Sequence, residues 1–378
     1  WNAAIRDMAN GADPSEALIL YTQMLRRGVP PGKHTFAFLL KACSNSRSAA
    51  GCVQVHDHAL KLGLDSEFHI VNALVRAYSV CRRMLDARKV FDEMPQPFRR
   101  STSIWTTVIC GYSQNRIADE TVELFREMVA GGIRPNKVVL SSVLSACAQS
   151  SRLDLGKKIH SYINDTGIEL NAILGTAIVD MYAKNGELAA AQDCFHRMQR
   201  RNIATWNALI CGLASHGEAQ RAIHYFTTLD LAPNQITLLG VLSACCHAGL
   251  LDYGRGIFDS MQSVYGIEPR TRHYGCMVDL LARSGRISEA EQVIRSMGDG
   301  EADVGMWGAL LSACKEYGDV EGGERAVREI LRLDSNSDGV YVVLSNMYAE
   351  AGRWDDVVRL RKGMKDDRLK KTCGRSSV

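Results

Sequence analysis

The same short pattern, a leucine followed two residues later by alanine and cysteine, returns at a nearly constant spacing along this chain of 378 residues. It ends at Cys43 in "LLKAC", at Cys147 and Cys245 in "VLSAC", and at Cys314 in "LLSAC". The steps from Cys43 to Cys147 and from Cys147 to Cys245 are 104 and 98 residues. A regular stride indicates a structural repeat, because a single chemical site would not recur in this way.

Two further patterns divide that stride into thirds. One is a tryptophan frame, found as "WNAAI" at Trp1, "WTTVI" at Trp105, "WNALI" at Trp206 and "WGALL" at Trp307. The other supplies "NALVRAYSV", "TAIVDMYAK" and "CMVDLLARS". The three kinds of unit alternate in a fixed order, so the sequence predicts repeats of roughly 31 to 35 residues.

Each repeat carries the apolar periodicity of two amphipathic helices. In residues 102–136 the i, i+3, i+4, i+7 spacing occurs twice, at Trp105, Val108, Ile109 and Tyr112 and then at Thr121, Leu124, Phe125 and Met128. Residues 172–202 repeat the pattern, with Gly186 at the turn between the helices. One such hairpin cannot bury both apolar faces, so neighbouring hairpins must stack. We therefore predict an all-α fold, an α-solenoid of helix-turn-helix repeats.

Composition agrees with this prediction and excludes other classes. The chain has 46% hydrophobic residues and 8 prolines, with no apolar run approaching a membrane span and no strand-like alternation. We find no signal peptide, membrane span or low-complexity linker, and we expect any targeting peptide to lie outside this chain. The net charge of +3 is modest for a protein that binds nucleic acid.

The thiols are predicted to be packing residues. Among the 12 cysteines no Cys-x-x-Cys occurs. Cys43, Cys147, Cys245 and Cys314 fall on core positions of the helical pattern, and scattered unpaired thiols fit a reducing compartment. Cys246 and His247 fall where a helix is ending, so we expect an exposed pair there rather than metal ligands.

The sequence gives little support for catalytic or metal-binding histidines. "HGE" at His216 to Glu218 matches the His-x-Glu half of the zinc deaminase signature but lacks the Cys-x-x-Cys half, and it lies at the Gly217 turn. His56 and His160 share a core position in their repeats, which favours packing. No phosphate-binding loop, dinucleotide fingerprint, zinc-protease motif or nucleophile elbow is present. A zinc enzyme is therefore the weakest of the functional alternatives.

The frames "WNALI", "LSACxxxG", "DMYAKNG" and "GxxPN" resemble those of plant pentatricopeptide repeat (PPR) proteins of the PLS class. From residue 235 onward the chain resembles the last PLS triplet followed by the E module of the E subgroup. The final "KKTCGRSSV" resembles the Pro-Gly-x-Ser box, with Cys373 where the family has proline. The resemblance implies a right-handed α-solenoid with PPR repeats over 1–303, a TPR-like E module over 304–372 and a remnant of the box over 373–378. The nine repeats are 1–32, 33–67, 68–101, 102–136, 137–171, 172–202, 203–234, 235–270 and 271–303.

In this family each repeat binds one RNA base with its fifth and last residues. The fifth residue lies about 100° around the helix from the buried fourth residue, and so faces the groove. The resemblance implies a pyrimidine at the third repeat, A at the fourth and sixth, and C or U at the seventh. The corresponding residue pairs are Asn72 with Ser101, Thr106 with Asn136, Thr176 with Asn202, and Asn207 with Asn234. A carboxamide at the last position can donate to the ring nitrogen of A or C.

Other contacts to RNA are implied by position. The second residues Val138, Ile173 and Ile236 should sandwich the bases, and Lys184 and Arg283, both thirteenth residues, should meet phosphate. Long repeats should read bases weakly or not at all; their pairs are Ala37 with Glu67, Ser141 with Asn171, and Leu239 with Arg270.

The resemblance implies a site-recognition factor for C-to-U RNA editing in a plant organelle, mitochondrion or chloroplast. It implies no catalytic activity, no cofactor and no membrane association for this chain. A DYW-type deaminase supplied in trans and multiple organellar RNA editing factor proteins would be its protein partners. The E module would dock the deaminase, with Trp307, Tyr341 and Trp354 as candidate anchors, although packing is the stronger expectation for each. Two alternatives stay open: a TPR-like protein scaffold, and a PPR factor for RNA splicing or stabilisation.

Overall fold

The computed structural model describes residues 1–64, 67–298, 302–335 and 337–366, and across these ranges the regular elements are all α-helices. The predicted all-α class is therefore confirmed. The chain divides into two compact units, Trp1–Arg201 and Asn202–Val378. Residues 367–372 of the proposed E module and the whole 373–378 segment with Cys373 lie outside the described residues.

The first unit is built from helical hairpins in which the first helix of each repeat packs against the first helix of the next. Its helices are α1 (Asn2–Ala9), α2 (Glu16–Arg26), α3 (Lys33–Ser46), α4 (Ala49–Lys61), α5 (Phe68–Val80), α6 (Met84–Glu93), α7 (Gln96–Arg99), α8 (Thr102–Gln114), α9 (Ala118–Ala130), α10 (Lys137–Gln149), α11 (Leu153–Asp165), α12 (Ala172–Lys184) and α13 (Leu188–Arg197). The contacts α1 to α3, α3 to α5, α5 to α8, α8 to α10 and α10 to α12 form one continuous row.

The second unit follows the same plan. Its helices are α14 (Ile203–Ser215), α15 (Ala219–Thr227), α16 (Gln235–Ala248), α17 (Leu251–Ser263), α18 (Thr271–Arg283), α19 (Ile287–Ser296), α20 (Val304–Tyr317), α21 (Val320–Leu333), α22 (Gly339–Glu350) and α23 (Trp354–Asp366). Helices α14, α16, α18 and α20 contact one another in turn, and α20 to α23 form two further hairpins.

A helix begins at the first residue of each of the eight predicted repeats after the first one, and at the first residue of the proposed E module. These residues are Lys33, Phe68, Thr102, Lys137, Ala172, Ile203, Gln235, Thr271 and Val304. In several cases the cause of the helix start is local: the Asn or Asp just before the helix accepts a hydrogen bond from a backbone N–H of the first turn. Asp303 does so for Met306, at 2.9 Å, and Asn171 does so for Leu174, at 2.8 Å.

The apolar positions of the repeat form the core. In the fourth repeat Trp105, Val108, Ile109 and Leu124 are buried. Gly186 has φ +82°, the left-handed conformation predicted for the turn between α12 and α13.

One short helix departs from the plan of two helices per repeat. Helix α7 occupies the end of the third repeat, where "MPQPFRRS" is three residues longer than "MQRRN" of the sixth repeat. In both repeats an arginine lies over a core phenylalanine, Arg99 over Phe91 at 5.3 Å and Arg201 over Phe195 at 4.7 Å. The extra residues are thus looped out as α7 and the arginine contact is preserved.

The four frame cysteines are buried as predicted, but the expectation for Cys246 was wrong. Cys246 is buried, with its Sγ 2.9 Å from the carbonyl oxygen of Cys276, whereas His247 is exposed. The helix continues to Ala248, so Cys246 still faces its neighbour in the next repeat. The contact with the Cys276 thiol, together with burial, raises the pKa of Cys246, which disfavours a thiolate nucleophile.

The partly buried histidines pack as expected. His56 Nδ1 lies 2.9 Å from the hydroxyl of Tyr78, and His160 Nδ1 lies 3.0 Å from that of Tyr182. Burial lowers the pKa of His160. His216 to Glu218 occupy the turn between α14 and α15, and no group of three metal-ligating side chains occurs in the described ranges. Over the same residues, the helices lack the length and apolar character needed to cross a membrane.

Ion pairs around a buried glutamate link the last repeat to the hairpin that follows it. Glu291 of α19 accepts hydrogen bonds from Arg295 at 2.7 Å and from Arg325 of α21 at 3.0 Å. Burial opposes ionisation of Glu291, but the two arginines outweigh it and lower the pKa of Glu291. Helices α19 and α21 are therefore linked by the ion pair between Glu291 and Arg325.

Close approach of consecutive repeats depends on small residues, which gives a stability prediction. A Cβ at Gly111 of α8 would lie 2.8 Å from Cβ of the buried Ser79 in α5, and still closer to its Oγ. We expect Gly111→Ala to lower the free energy of unfolding by about 1 to 3 kcal/mol, because the helices must move apart. Gly256→Ala in α17 is the control, since no atom lies within 4 Å of its added Cβ. The control should raise stability by about 0.5 to 1 kcal/mol. Thermal unfolding followed by circular dichroism measures both, and an unchanged Gly111→Ala protein would contradict this packing.

Candidate nucleic-acid interface

Repeat-final Asn, Ser and Asp side chains cap the helices that follow them. Asn136 Oδ1 accepts from the N–H of Val139 at 2.9 Å, and Asn234 Oδ1 accepts from those of Ile236 and Thr237. Since the oxygen of each carboxamide is used for capping, its NH₂ group is what remains to meet a ligand. The capping role thus orients these residues as hydrogen-bond donors.

Other repeat-final residues cap in the same way. Asn202 Oδ1 accepts from the N–H of Thr205 at 3.0 Å, and Ser101 Oγ accepts from that of Ser103 at 3.3 Å.

In the fourth and seventh repeats the two base-reading residues are in direct contact. Asn136 Nδ2 donates to Thr106 Oγ1 at 3.0 Å, and Asn207 Nδ2 donates to Asn234 Oδ1 at 3.0 Å. Asn207 itself is only 6% exposed, so Asn234 is the more accessible member of its pair. The structure therefore brings a fifth and a last residue together in the fourth and seventh repeats.

The fifth-position threonines use their own protons within their helices. Thr106 donates to the carbonyl of Thr102 at 2.7 Å, and Thr176 donates to that of Ala172 at 2.6 Å. Thr176 belongs to the first unit and its partner Asn202 to the second, where it caps α14. Asn72 and Ser101 share no hydrogen bond within the described part of the chain; Asn72 is half-buried and Ser101 caps α8.

The second-position side chains are exposed apolar groups. Val138, Ile173 and Ile236 lie in the first turns of α10, α12 and α16, and each is more than half exposed. An exposed branched side chain beside a polar reading pair offers a flat apolar contact of the kind on which a base can stack.

Both candidate phosphate ligands are already paired with carboxylates. Lys184 Nζ donates to Asp180 at 2.8 Å, and Arg283 Nε donates to both oxygens of Asp279 at 2.9 and 3.0 Å. Hydrogen bonding to Asp279 raises the pKa of Arg283. A phosphate at either residue would have to compete with the aspartate, which weakens both positions as anion sites.

A basic groove that the sequence reasoning missed lies between α3 and α5. This cavity of about 380 Å³ is lined by Asn72 together with Lys41, His69 and Arg76, and no carboxylate lines it. Lys41 and Arg76 are exposed ninth residues of consecutive repeats. The sequence contains the evidence for this groove, because the ninth residue is basic in the second and third repeats but is Asp180 in the sixth and Asp279 in the ninth.

The corresponding groove between α18 and α20 has a different charge. It measures about 420 Å³ and is lined by Asp279, Arg283 and Glu316 among small residues. With Arg283 neutralised by Asp279, the surplus charge in this groove is negative, which disfavours a phosphate there.

Asn2 is a second residue that the sequence reasoning passed over. It follows Trp1 in "WNAAI" as Asn207 follows Trp206 in "WNALI", so it holds the fifth position of the first repeat. Its Oδ1 accepts a hydrogen bond from Thr35 of the next repeat at 2.8 Å.

Comparison with family models finds repeats of one kind between residues 69 and 299. The PPR repeat family matches residues 100–149, and the PPR repeat matches 69–96, 176–203, 204–228, 236–264 and 272–299. The E motif matches residues 317–378.

Curated relatives carry the same repeats. A pentatricopeptide repeat-containing protein of Arabidopsis thaliana is 37% identical over 100% of this chain and 78% of its own length. A mitochondrial one from the same plant is 36% identical over 100% and 60%, and a chloroplastic one is 38% identical over 94% and 48%. The chain thus spans between about half and three quarters of the length of these relatives.

Solved structures share the fold. The pentatricopeptide repeat protein PPR10 in complex with an 18-nt psaJ RNA element matches with a TM-score of 0.77 at 17% identity, over 98% of this chain and 56% of that one. PPR10 from maize, in a separate crystal structure, matches with a TM-score of 0.54 at 16% identity, over 98% and 58%.

Proposed function

The chain belongs to the pentatricopeptide repeat family, in its PLS class and E subgroup, and on that premise we propose that it binds single-stranded RNA sequence-specifically, with one base per repeat. The observation that carries the proposal is the contact between fifth and last residues in the fourth and seventh repeats. At each contact a carboxamide NH₂ is oriented by helix capping, and an exposed apolar residue, Val138 or Ile236, lies in the adjoining helical turn. Single-stranded RNA exposes the base edges and faces that such a site can read.

Fluorescence polarisation with labelled RNA tests this function. From 5′ to 3′ the readable repeats favour a pyrimidine, A, any base, A, and C or U. We expect this RNA to bind at least about tenfold more tightly than a scrambled RNA of the same composition, since one mismatched base contact costs about 1 to 3 kcal/mol. Equal affinity for the scrambled sequence or for duplex RNA would refute the proposal.

The phosphate contacts of the bound RNA are expected at Lys41 and Arg76. Alanine at either position should weaken binding uniformly across RNA sequences and reduce the slope of log affinity against log salt by about 1. Lys184→Ala is the control, because Lys184 is held by Asp180 and should change the slope less. Titrations at several salt concentrations measure the slopes, and a larger effect from Lys184→Ala would show that the phosphates follow the thirteenth residues instead.

We further propose that the RNA is an organellar transcript and that binding marks a site for C-to-U editing. The E motif over residues 317–378 and the mitochondrial and chloroplastic names of relatives support this role. We propose that the deaminase, of DYW type, is supplied in trans. Multiple organellar RNA editing factor proteins are proposed as additional partners.

The E module is the proposed docking region for the deaminase, and its three candidate anchors differ in the structure. Trp307 is buried in the core that α20 shares with α18 and α19, so its role there is packing. Tyr341 is half-buried. Trp354 is 64% exposed, and one turn later on the same face of α23 Val358 is 66% exposed. This pair is the apolar surface that a partner protein can contact.

A further inference from the structure

A closed ring of hydrogen bonds joins the seventh repeat to the eighth. The backbone N–H of Asn234 donates to Thr237 Oγ1 at 3.0 Å. The Thr237 hydroxyl donates to Asn207 Oδ1 at 2.6 Å, and Asn207 Nδ2 donates back to Asn234 Oδ1 at 3.0 Å. Thr237 is 0% exposed, so water does not compete for its hydroxyl.

The ring determines which way the Asn207 carboxamide points. A hydroxyl has one proton to donate, and Thr237 Oγ1 already accepts from the Asn234 N–H. The Thr237 proton must therefore be donated to another acceptor, and the nearer one is Asn207 Oδ1 at 2.6 Å. The alternative acceptor, Asn234 Oδ1, is 3.2 Å away and already receives two backbone N–H groups. With its oxygen turned to Thr237, Asn207 directs its NH₂ group toward Asn234.

In the first and third repeats, which also have asparagine at the fifth position, a threonine hydroxyl again donates to the asparagine oxygen. In the first repeat the Gly32 N–H donates to Thr35 Oγ1 at 3.1 Å, and Thr35 donates to Asn2 Oδ1 at 2.8 Å. In the third repeat Thr107 donates to Asn72 Oδ1 at 2.7 Å, although from the sixth position of its own repeat. Fifth-position asparagines thus have their oxygens occupied by a threonine of the following repeat, whereas the fifth-position threonines donate their own protons to carbonyls of their own helices.

We propose that Thr237 is a positioning residue that makes the seventh repeat select cytidine over uridine. The inference rests on the proposed RNA-binding function and sharpens it. Asn234 has its oxygen saturated and Asn207 has its oxygen held by Thr237, so both carboxamides present N–H donors. Cytosine has acceptors at both O2 and N3, which two donors satisfy. Uracil carries an N–H at N3, so one donor would face another donor.

The test compares two synthetic single-stranded RNAs that differ only in C or U at the base assigned to the seventh repeat. By fluorescence polarisation, the wild-type chain should bind the C form about fivefold more tightly, as expected for one hydrogen bond gained rather than opposed. Thr237→Val keeps the side-chain shape but loses the hydroxyl, and should narrow that ratio to within about twofold. Thr237→Ser restores the hydroxyl and should restore the ratio. The ratio is measured within one protein, so a general loss of stability does not mimic the effect.

Asn234→Asp separates this inference from the function on which it rests. An aspartate still caps α16 but presents an acceptor to N3, so it should reverse the preference to U whether or not Thr237 orients Asn207. If Asn234→Asp prefers U but the wild-type chain shows no preference for C, the proposed role of Thr237 is overturned and the RNA-reading register stands. An undiminished ratio in Thr237→Val would also overturn it. Absence of single-stranded RNA binding by the wild-type chain would overturn the proposed function itself.

Discussion

Replacing Thr106 by asparagine should move the base preferred by the fourth repeat from adenine toward a pyrimidine. In the wild-type chain Thr106 turns its proton to Thr102 and accepts from Asn136, so Asn136 faces the base beside a hydroxyl oxygen. The variant places two carboxamides there, as at Asn207 and Asn234. We expect the affinity for RNA with A at this position to fall by about 1 to 3 kcal/mol, with a smaller gain for C.

The hydrogen bond from Thr237 to Asn207 predicts a second substitution that should strengthen this change in base preference. The third residue of the fifth repeat is Val139, which cannot donate to the carboxamide oxygen introduced by Thr106→Asn as Thr237 does to that of Asn207. The double variant Thr106→Asn, Val139→Thr should therefore favour C more strongly than the single variant. Thr106→Ser keeps the hydroxyl and is the control for the altered site. Titration against the four bases measures the preference, and a uniform loss of affinity for all four would show that Thr106 is structural and the register wrong.

Placing a charge on the exposed face of α23 should abolish support of editing and leave RNA binding intact. Trp354→Glu with Val358→Glu removes the apolar surface proposed to contact the deaminase. In an editing assay reconstituted with a DYW-type deaminase, we expect conversion to fall to background while the affinity for RNA changes by less than about twofold, since the substitutions lie outside the reading positions. Val264→Glu is the matched control, because Val264 is 70% exposed, also in the second unit, but belongs to the eighth repeat.

Point substitutions test this role better than removal of residues 304–378. Helix α20 packs against α18 and α19, with Trp307 and Leu310 in the same core as Val278 and Ile294. Truncation would expose that core and damage the last repeat. Loss of RNA binding in the Trp354→Glu, Val358→Glu chain would place RNA contacts where the proposal places protein contacts, and deamination by the purified chain alone would overturn the assignment of catalysis to a partner.

The helical frame could be predicted from the sequence because its causes are local. Apolar periodicity identifies the buried faces, and a capping Asn or Asp before the first turn, as at Asn136 and Asp303, fixes where a helix begins. The extra helix α7 could not be predicted, since it depends on how three added residues fit around the Arg99 to Phe91 contact.

The candidate site was predictable only in part. The frame located the reading residues, but it could not show that Lys184 and Arg283 are paired with aspartates one turn away. It also could not show that Thr237 meets Asn207, because the two residues are 30 apart in sequence and come together only when consecutive repeats stack. The orientation of the side-chain amides depends on contacts between repeats, which only the three-dimensional structure shows.

Selection from a pool of single-stranded RNA with randomised bases tests sequence-specific recognition most directly. The full chain is incubated with the pool at fixed salt, and bound RNA is recovered and sequenced over successive rounds. We expect the enriched molecules to share, from 5′ to 3′, a pyrimidine, A, an unrestricted base, A and C. Enrichment of no common sequence, or of one with purines and pyrimidines exchanged at these positions, would contradict recognition by the assigned residue pairs.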